Sequence, residues 1–216
     1  MKRVAYLFVA MVVMLGCVAY GAEAIAIAFV FDTSGSMLES VKDARGVDVQ
    51  KFEVGRKAMD GVVEKLTQFS KTSDRPLQVA LFVFDGKTGV REVLAPGKFD
   101  AARLRESLPQ RKDIAGGTPL GRATDAAAKS IAAVQASSRH VIVLTDGDNT
   151  AGPKPEDAIR AAKAPVQYHF IAFDVDARVF SGVRQAGATL LSAGDAKQLD
   201  ERLGFLLEEK ILLEKE

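Results

Sequence analysis

Asp32, Ser34 and Ser36 stand at alternate positions directly after an apolar run, residues 24–31. One acid and two hydroxyls, with Gly35 between the serines, offer three hard oxygens within a single turn. Oxygens of this kind suit magnesium or calcium. The same residue types also build ordinary turns and helix caps, so the stretch alone leaves both readings open. Two later stretches add oxygens. Gly116-Gly117-Thr118-Pro119 precedes an amphipathic segment, and Thr145-Asp146-Gly147-Asp148-Asn149 follows the apolar run 140–144. Taken singly, Thr118 reads as a helix N-cap ahead of Pro119, and Asp146-Gly147 as a turn.

Whether these groups can meet depends on the elements between them. The unbroken apolar run 24–31 suits a strand covered on both faces, as in a parallel sheet. Residues 38–51 are polar and read as a loop, and a helix follows over about 52–69. Met59, Val62, Val63 and Leu66 give it one buried stripe at helical spacing. Residues 77–84 and 90–94 read as two strands joined in a hairpin across residues 86–89. A short helical stretch over 99–108 comes next. The helix after Pro119 runs to about 134, with Leu120, Ala123, Ala127, Ile131 and Val134 inward. Further strands are expected at 140–144, 166–173 and 189–192. Pro155 opens one helix, another falls near 181–186, and Asp195 caps a final one with Gln198 in capping-box position. Strands and helices therefore alternate. The expected fold is α/β: a Rossmann-like, doubly wound, mostly parallel sheet with helices on both faces and one short antiparallel edge strand. In such sheets ligands bind beyond the carboxyl ends of the strands, where Asp32, Ser34, Ser36, Thr118 and Asp146 would all lie.

The chain has 216 residues, 48% hydrophobic and 26% charged, an ordinary globular composition. Its formal net charge is +1, which gives no electrostatic reason to expect nucleic acid or an anionic membrane as partner. Residues 1–21 read as a signal peptide: a basic start at Lys2 and Arg3, an apolar stretch over 4–18, then small residues. An uncleaved anchor is the alternative. Leu15-Gly16-Cys17 resembles a lipoprotein signal ending before Cys17, with Met14 where that pattern has Leu, Val or Ile. Cys17 is the single cysteine, so no internal disulfide is possible. The mature domain is expected over 22–216, secreted across the inner membrane to the periplasm or cell envelope.

Asp32-x-Ser34-x-Ser36, Gly117-Thr118-Pro119 and Thr145-Asp146-Gly147 resemble the metal-ion-dependent adhesion site of von Willebrand factor type A domains. All five ligand positions match in the family's order, and the resemblance extends over about 24–210. The stretch 171–176 looks like the family's late strand. The longer loop 38–51 departs from the family's pattern; it is expected beside the site without touching the ligand set. The resemblance implies a bound divalent cation, Mg2+ in the first place and Mn2+ or Ca2+ as alternatives. It would be held by Ser34, Ser36 and Thr118 hydroxyls and by Asp32 and Asp146, directly or through water. One coordination position would remain for an Asp or Glu of a partner protein.

No enzymatic activity is expected. The residue two after Asp32 is Ser34, not the second aspartate of aspartyl-phosphate phosphatases, no Gly-x-Ser-x-Gly elbow occurs, and Gly116-Gly117 lacks the Gly-Lys-Ser/Thr of a phosphate loop. Asp85, Asp174 and Asp176 read as turn or rim residues, and Asp148 and Asn149 as solvated loop. His140 and His169 are not spaced as a metal pair and read as core or edge residues. The expected function is an extracytoplasmic metal-dependent protein-binding module. A structural envelope subunit with a fold-stabilising metal is the alternative, and a metal-dependent hydrolase a more distant one.

Overall fold

A computed structural model describes residues 24–43 and 45–213. The expectations for residues 1–21, the signal peptide and Cys17, lie outside the described residues.

Strand β1 (Ile25–Asp32) is the centre of the molecule, and all of its residues are buried. A 3-10 turn (Gly35–Leu38) follows it, then a small antiparallel pair, β2 (Ser40–Lys42) and β3 (Asp48–Gln50). Helix α1 (Lys51–Thr72) leads to β4 (Leu77–Asp85), which lies parallel to β1, and β5 (Gly89–Lys98) returns antiparallel along the edge. Helices α2 (Ala101–Ser107) and α3 (Leu120–Ala132) carry the chain back across the sheet to β6 (Ser138–Thr145) on the other side of β1. Helix α4 (Pro155–Ala161), β7 (Gln167–Phe173), α5 (Ser181–Gln185), β8 (Thr189–Ala193) and α6 (Ala196–Phe205) complete the order. A π-helical stretch, Leu206–Leu212, extends α6.

The sheet order is β5-β4-β1-β6-β7-β8, with β5 alone antiparallel. The order reverses between β1 and β6, which makes their carboxyl ends the switch point where such sheets open a crevice. Alternation along β1 divides the core. Ile25, Ile27, Phe29 and Phe31 join the cluster of α1 and α6, whereas Ala26, Ala28 and Val30 face α3 through Ala123 and Ala127. Small residues on both surfaces let α3 approach the sheet closely. The larger side chains on the opposite face each contribute about 1.5–3 kcal/mol through burial. Met59, Val62, Val63 and Leu66 of α1 are buried, as their spacing requires.

Two elements differ from the sequence reading. The stretch 38–51 holds the β2–β3 pair and the first residue of α1, because Val41 can bury itself against the core while Ser40, Lys42 and Asp48 stay exposed. Strand β5 continues past the expected 90–94 to Lys98, including Pro96, which an edge strand tolerates because its missing N–H faces no partner. His140 and His169 meet in the core, with Nδ1 of His140 3.2 Å from Nε2 of His169 and the rings stacked. Burial, reinforced by the charge of Arg75, pushes the His140 pKa down to about 4.

Candidate metal centre

Asp32 is the last residue of β1 and fully buried. Its Oδ1 accepts a hydrogen bond from the Ser34 amide at 2.7 Å, which bends the chain into the 3-10 turn. Its Oδ2 accepts from Thr145 Oγ1 at 2.6 Å, tying the end of β1 to the end of β6. The Ser34 and Ser36 hydroxyls lie 3.1 Å apart, and Ser36 donates to Asp146 Oδ1 at 2.7 Å. Asp32, Ser34, Ser36 and Asp146 thus form one chain of oxygens.

Thr118 comes to the same place from the opposite face of the sheet. It does not cap α3: Pro119 occupies that position, and Asn149 Oδ1 accepts the Gly121 amide at 3.1 Å instead. The Thr118 amide donates to Thr150 Oγ1 at 2.7 Å, and the Thr150 amide donates back to the Thr118 carbonyl at 2.9 Å. That reciprocal pair fixes the hydroxyl relative to the Asp146 loop. A methyl group built on Gly147 would stand 3.7 Å from both Ser36 Oγ and Thr118 Oγ1, which locates the two hydroxyls around one point.

The loop before Thr118 is laced to its neighbours by backbone bonds. Gly35 donates to the Gly116 carbonyl at 2.8 Å, Ala115 to Thr33 at 3.0 Å, and Gly86 to Ala115 at 3.0 Å. Gly86 and Gly117 approach so closely that a β-carbon on Gly86 would lie 1.9 Å from the Gly117 nitrogen. Gly121 is equally constrained, since its β-carbon would lie 2.0 Å from the Pro153 carbonyl.

The donor set fits a small hard cation. An octahedron of oxygens about 2.1 Å from a magnesium ion has edges of about 3.0 Å. The Ser34–Ser36 and Ser36–Asp146 separations of 3.1 and 2.7 Å are of that size. Among the described residues no three His, Cys, Asp or Glu side chains are placed to hold a metal ion, so an ion here would rest largely on hydroxyls. Burial pushes the Asp32 pKa up to about 7, against the hydrogen bonds from Ser34 and Thr145, with the charge of Asp146 adding to the rise. Burial raises Asp146 as well, although Ser36 and Lys51 oppose it. Burial still outweighs these opposing contacts at both carboxylates, and a divalent cation would supply further compensating charge.

Several contributors escape a reading of the sequence. Lys51, counted with the loop, is the buried first residue of α1, and its Nζ lies 3.2 Å from Asp146 Oδ2. The stretch 38–51 therefore does touch the expected ligand set. Asp174, read as a rim residue, ion-pairs with Lys51 at 3.0 Å. Thr145 and Thr150 orient Asp32 and Thr118, and Asn149 caps α3. Only the dipeptide Thr145-Asp146 gave a hint, through adjacency. Asp85 satisfies itself within its own turn through the Lys87 and Thr88 amides and stays apart from the site.

The fold has close counterparts among solved structures. The PilB minor pilin from Streptococcus sanguinis superposes with a TM-score of 0.70 at 15% identity, covering 88% of this chain and 61% of that one. BatB from Bacteroides thetaiotaomicron, a conserved hypothetical protein, gives 0.68 at 16% identity over 86% and 98%. The pilus adhesin SpaC from Lactobacillus rhamnosus GG gives 0.68 at 14% identity over 87% and 30%. The chain thus spans about three fifths of the pilin and under a third of the adhesin. In sequence, it is 24% identical over 193 residues to YwmD, an uncharacterized protein of Bacillus subtilis, covering 81% of each. The model of the von Willebrand factor type A domain matches residues 26–197, from the second residue of β1 into α6. With that match extending over most of the sheet and spanning all three loops of the oxygen cluster, the chain belongs to the von Willebrand factor type A domain family.

Proposed function

We propose that this domain is an extracytoplasmic, metal-dependent protein-binding module. Asp32, Ser34, Ser36, Thr118 and Asp146 would hold a divalent cation, Mg2+ before Mn2+ or Ca2+, and an Asp or Glu of a partner protein would complete its coordination. The observation that carries the reading is the convergence of five oxygen-bearing side chains, from three separated segments, at the switch point between β1 and β6. The cation supplies an electrophilic position for an anionic side chain. The residues of the chain supply the rest: Thr145 and the Ser34 amide orient Asp32, Thr150 fixes Thr118, and Asp146 aligns Ser36. The hydroxyls and carboxylates of the cluster suffice for binding a cation and an anionic partner, and the reading requires no turnover. Pilin and adhesin counterparts support an interaction role and a place at the cell envelope.

The test is capture from envelope extract, with magnesium against chelator, by wild type and by Asp146→Ala. Species retained only by wild type with magnesium are the expected result. Capture indifferent to both changes would overturn the proposal. A magnesium-dependent rise in melting temperature without magnesium-dependent capture would favour a structural subunit with a fold-stabilising metal.

A further inference from the structure

Lys51 is 3% exposed, and its ammonium lies 3.2 Å from Asp146 Oδ2, 3.0 Å from Asp174 Oδ2 and 3.0 Å from Glu39 Oε2. Those carboxylates come from the loop after β6, the residue after β7 and the residue after the 3-10 turn. Their exposures differ: 0% for the Asp146 side chain, 39% for Asp174 and 68% for Glu39. Water already screens the outer two. For Asp146, Lys51 is the neighbouring positive charge. Asp146 divides its oxygens accordingly, with Oδ1 accepting from Ser36 and Oδ2 facing Lys51. Asp174 reaches Lys51 from a left-handed conformation at φ 51°, which costs a non-glycine residue about 1 kcal/mol. Burial disfavours the Lys51 charge, and the three carboxylates together more than offset it.

We infer that Lys51 is a tethered counter-cation of the candidate centre: it holds Asp146 in place when no metal is bound, and it weakens divalent-cation binding by repulsion across one carboxylate. This rests on the metal reading proposed above. Two opposite effects of one residue follow from Coulomb's law. The fixed charge eases the repulsion between Asp32 and Asp146 in the metal-free protein. It then stands against any second positive charge on the far side of Asp146. Glu39 and Asp174 set the balance, because each partly neutralises Lys51.

The experiment is calorimetric titration of the purified chain with magnesium, alongside thermal melting in chelator. Lys51→Met is expected to tighten magnesium binding about tenfold and to lower the melting temperature in chelator. The double variant Glu39→Gln, Asp174→Asn leaves the Lys51 charge to Asp146 alone, and is expected to weaken magnesium binding about threefold or more. Tighter magnesium binding in Lys51→Met is the change that a purely structural lysine would not give. Weaker or unchanged magnesium binding in Lys51→Met overturns the inference. Should that variant fail to fold, the double variant decides: unchanged or tighter binding overturns it. If wild type takes up no divalent cation, the metal reading itself falls and this inference with it, an outcome seen before any variant is made.

Discussion

Asp32 is poised for function at a cost to stability. Its pKa of about 7 lies above the unfolded value, so in the metal-free protein it favours the folded state only while protonated. Stability from this group is full below pH 4 and is lost as pH rises toward 7. Asp32→Asn keeps the shape and removes the charge. In chelator at pH 8 the variant should be more stable than wild type by about 1–2 kcal/mol. With magnesium present the order should reverse, because the variant lacks one charge of the proposed ligand set. Urea unfolding under both conditions measures this, and a less stable variant in chelator would contradict it. His140 works in the other sense. Its folded pKa, about 4, lies below the unfolded value, so the unfolded chain takes up the proton first and stability falls as pH drops from about 6.5 toward 4. Between pH 7.5 and 5 the wild type should lose about 2 kcal/mol that His140→Gln does not lose. Urea midpoints of the two proteins in chelator give the difference directly, since Asp32 titrates in both.

At the scale of elements, loops from both faces of the sheet must be registered against one another. Thr150 does this for α3: its hydroxyl accepts the Thr118 amide, and its own amide binds the Thr118 carbonyl. Thr150→Val keeps the volume and leaves a part-buried N–H without that acceptor, costing about 1–3 kcal/mol. The displaced Thr118 hydroxyl should weaken magnesium binding as well. Chelator-based unfolding and magnesium titration of the variant test the two halves separately. The five oxygen positions were legible because each lies at the end of an apolar run or the start of an amphipathic one. Strand order along the chain and the inward stripe of α1 were legible for the same reason. The β2–β3 pair was not, because three-residue strands rich in polar side chains carry too little alternation to stand out. Lys51 was hidden more deeply. A lysine at a loop–helix boundary reads as solvated, and the three carboxylates that bury it are brought there only by the folded sheet.

Across the whole molecule, the cluster joins three loops that lie far apart in the sequence. A cation bound to the folded form alone raises stability by mass action, about 2.7 kcal/mol at a hundred times its Kd. For a domain of this size that is a melting shift of roughly 5–10 °C. Differential scanning calorimetry should show the shift in wild type and lose it in Asp146→Ala, while the variant still melts cooperatively. A wild-type melting point indifferent to millimolar magnesium would count against the centre.

The central place of β1 has a mechanical consequence. Asp32 ends that strand, and Ser34 and Ser36 follow it directly, so a pull applied to those oxygens is delivered along β1. Parallel hydrogen-bond ladders to β4 and β6 flank the strand along its length. Tension would have to shear both ladders together, rather than peel one edge bond at a time. An acid gripped at the far side of the cation would therefore be anchored to a strand held by two ladders at the centre of the sheet.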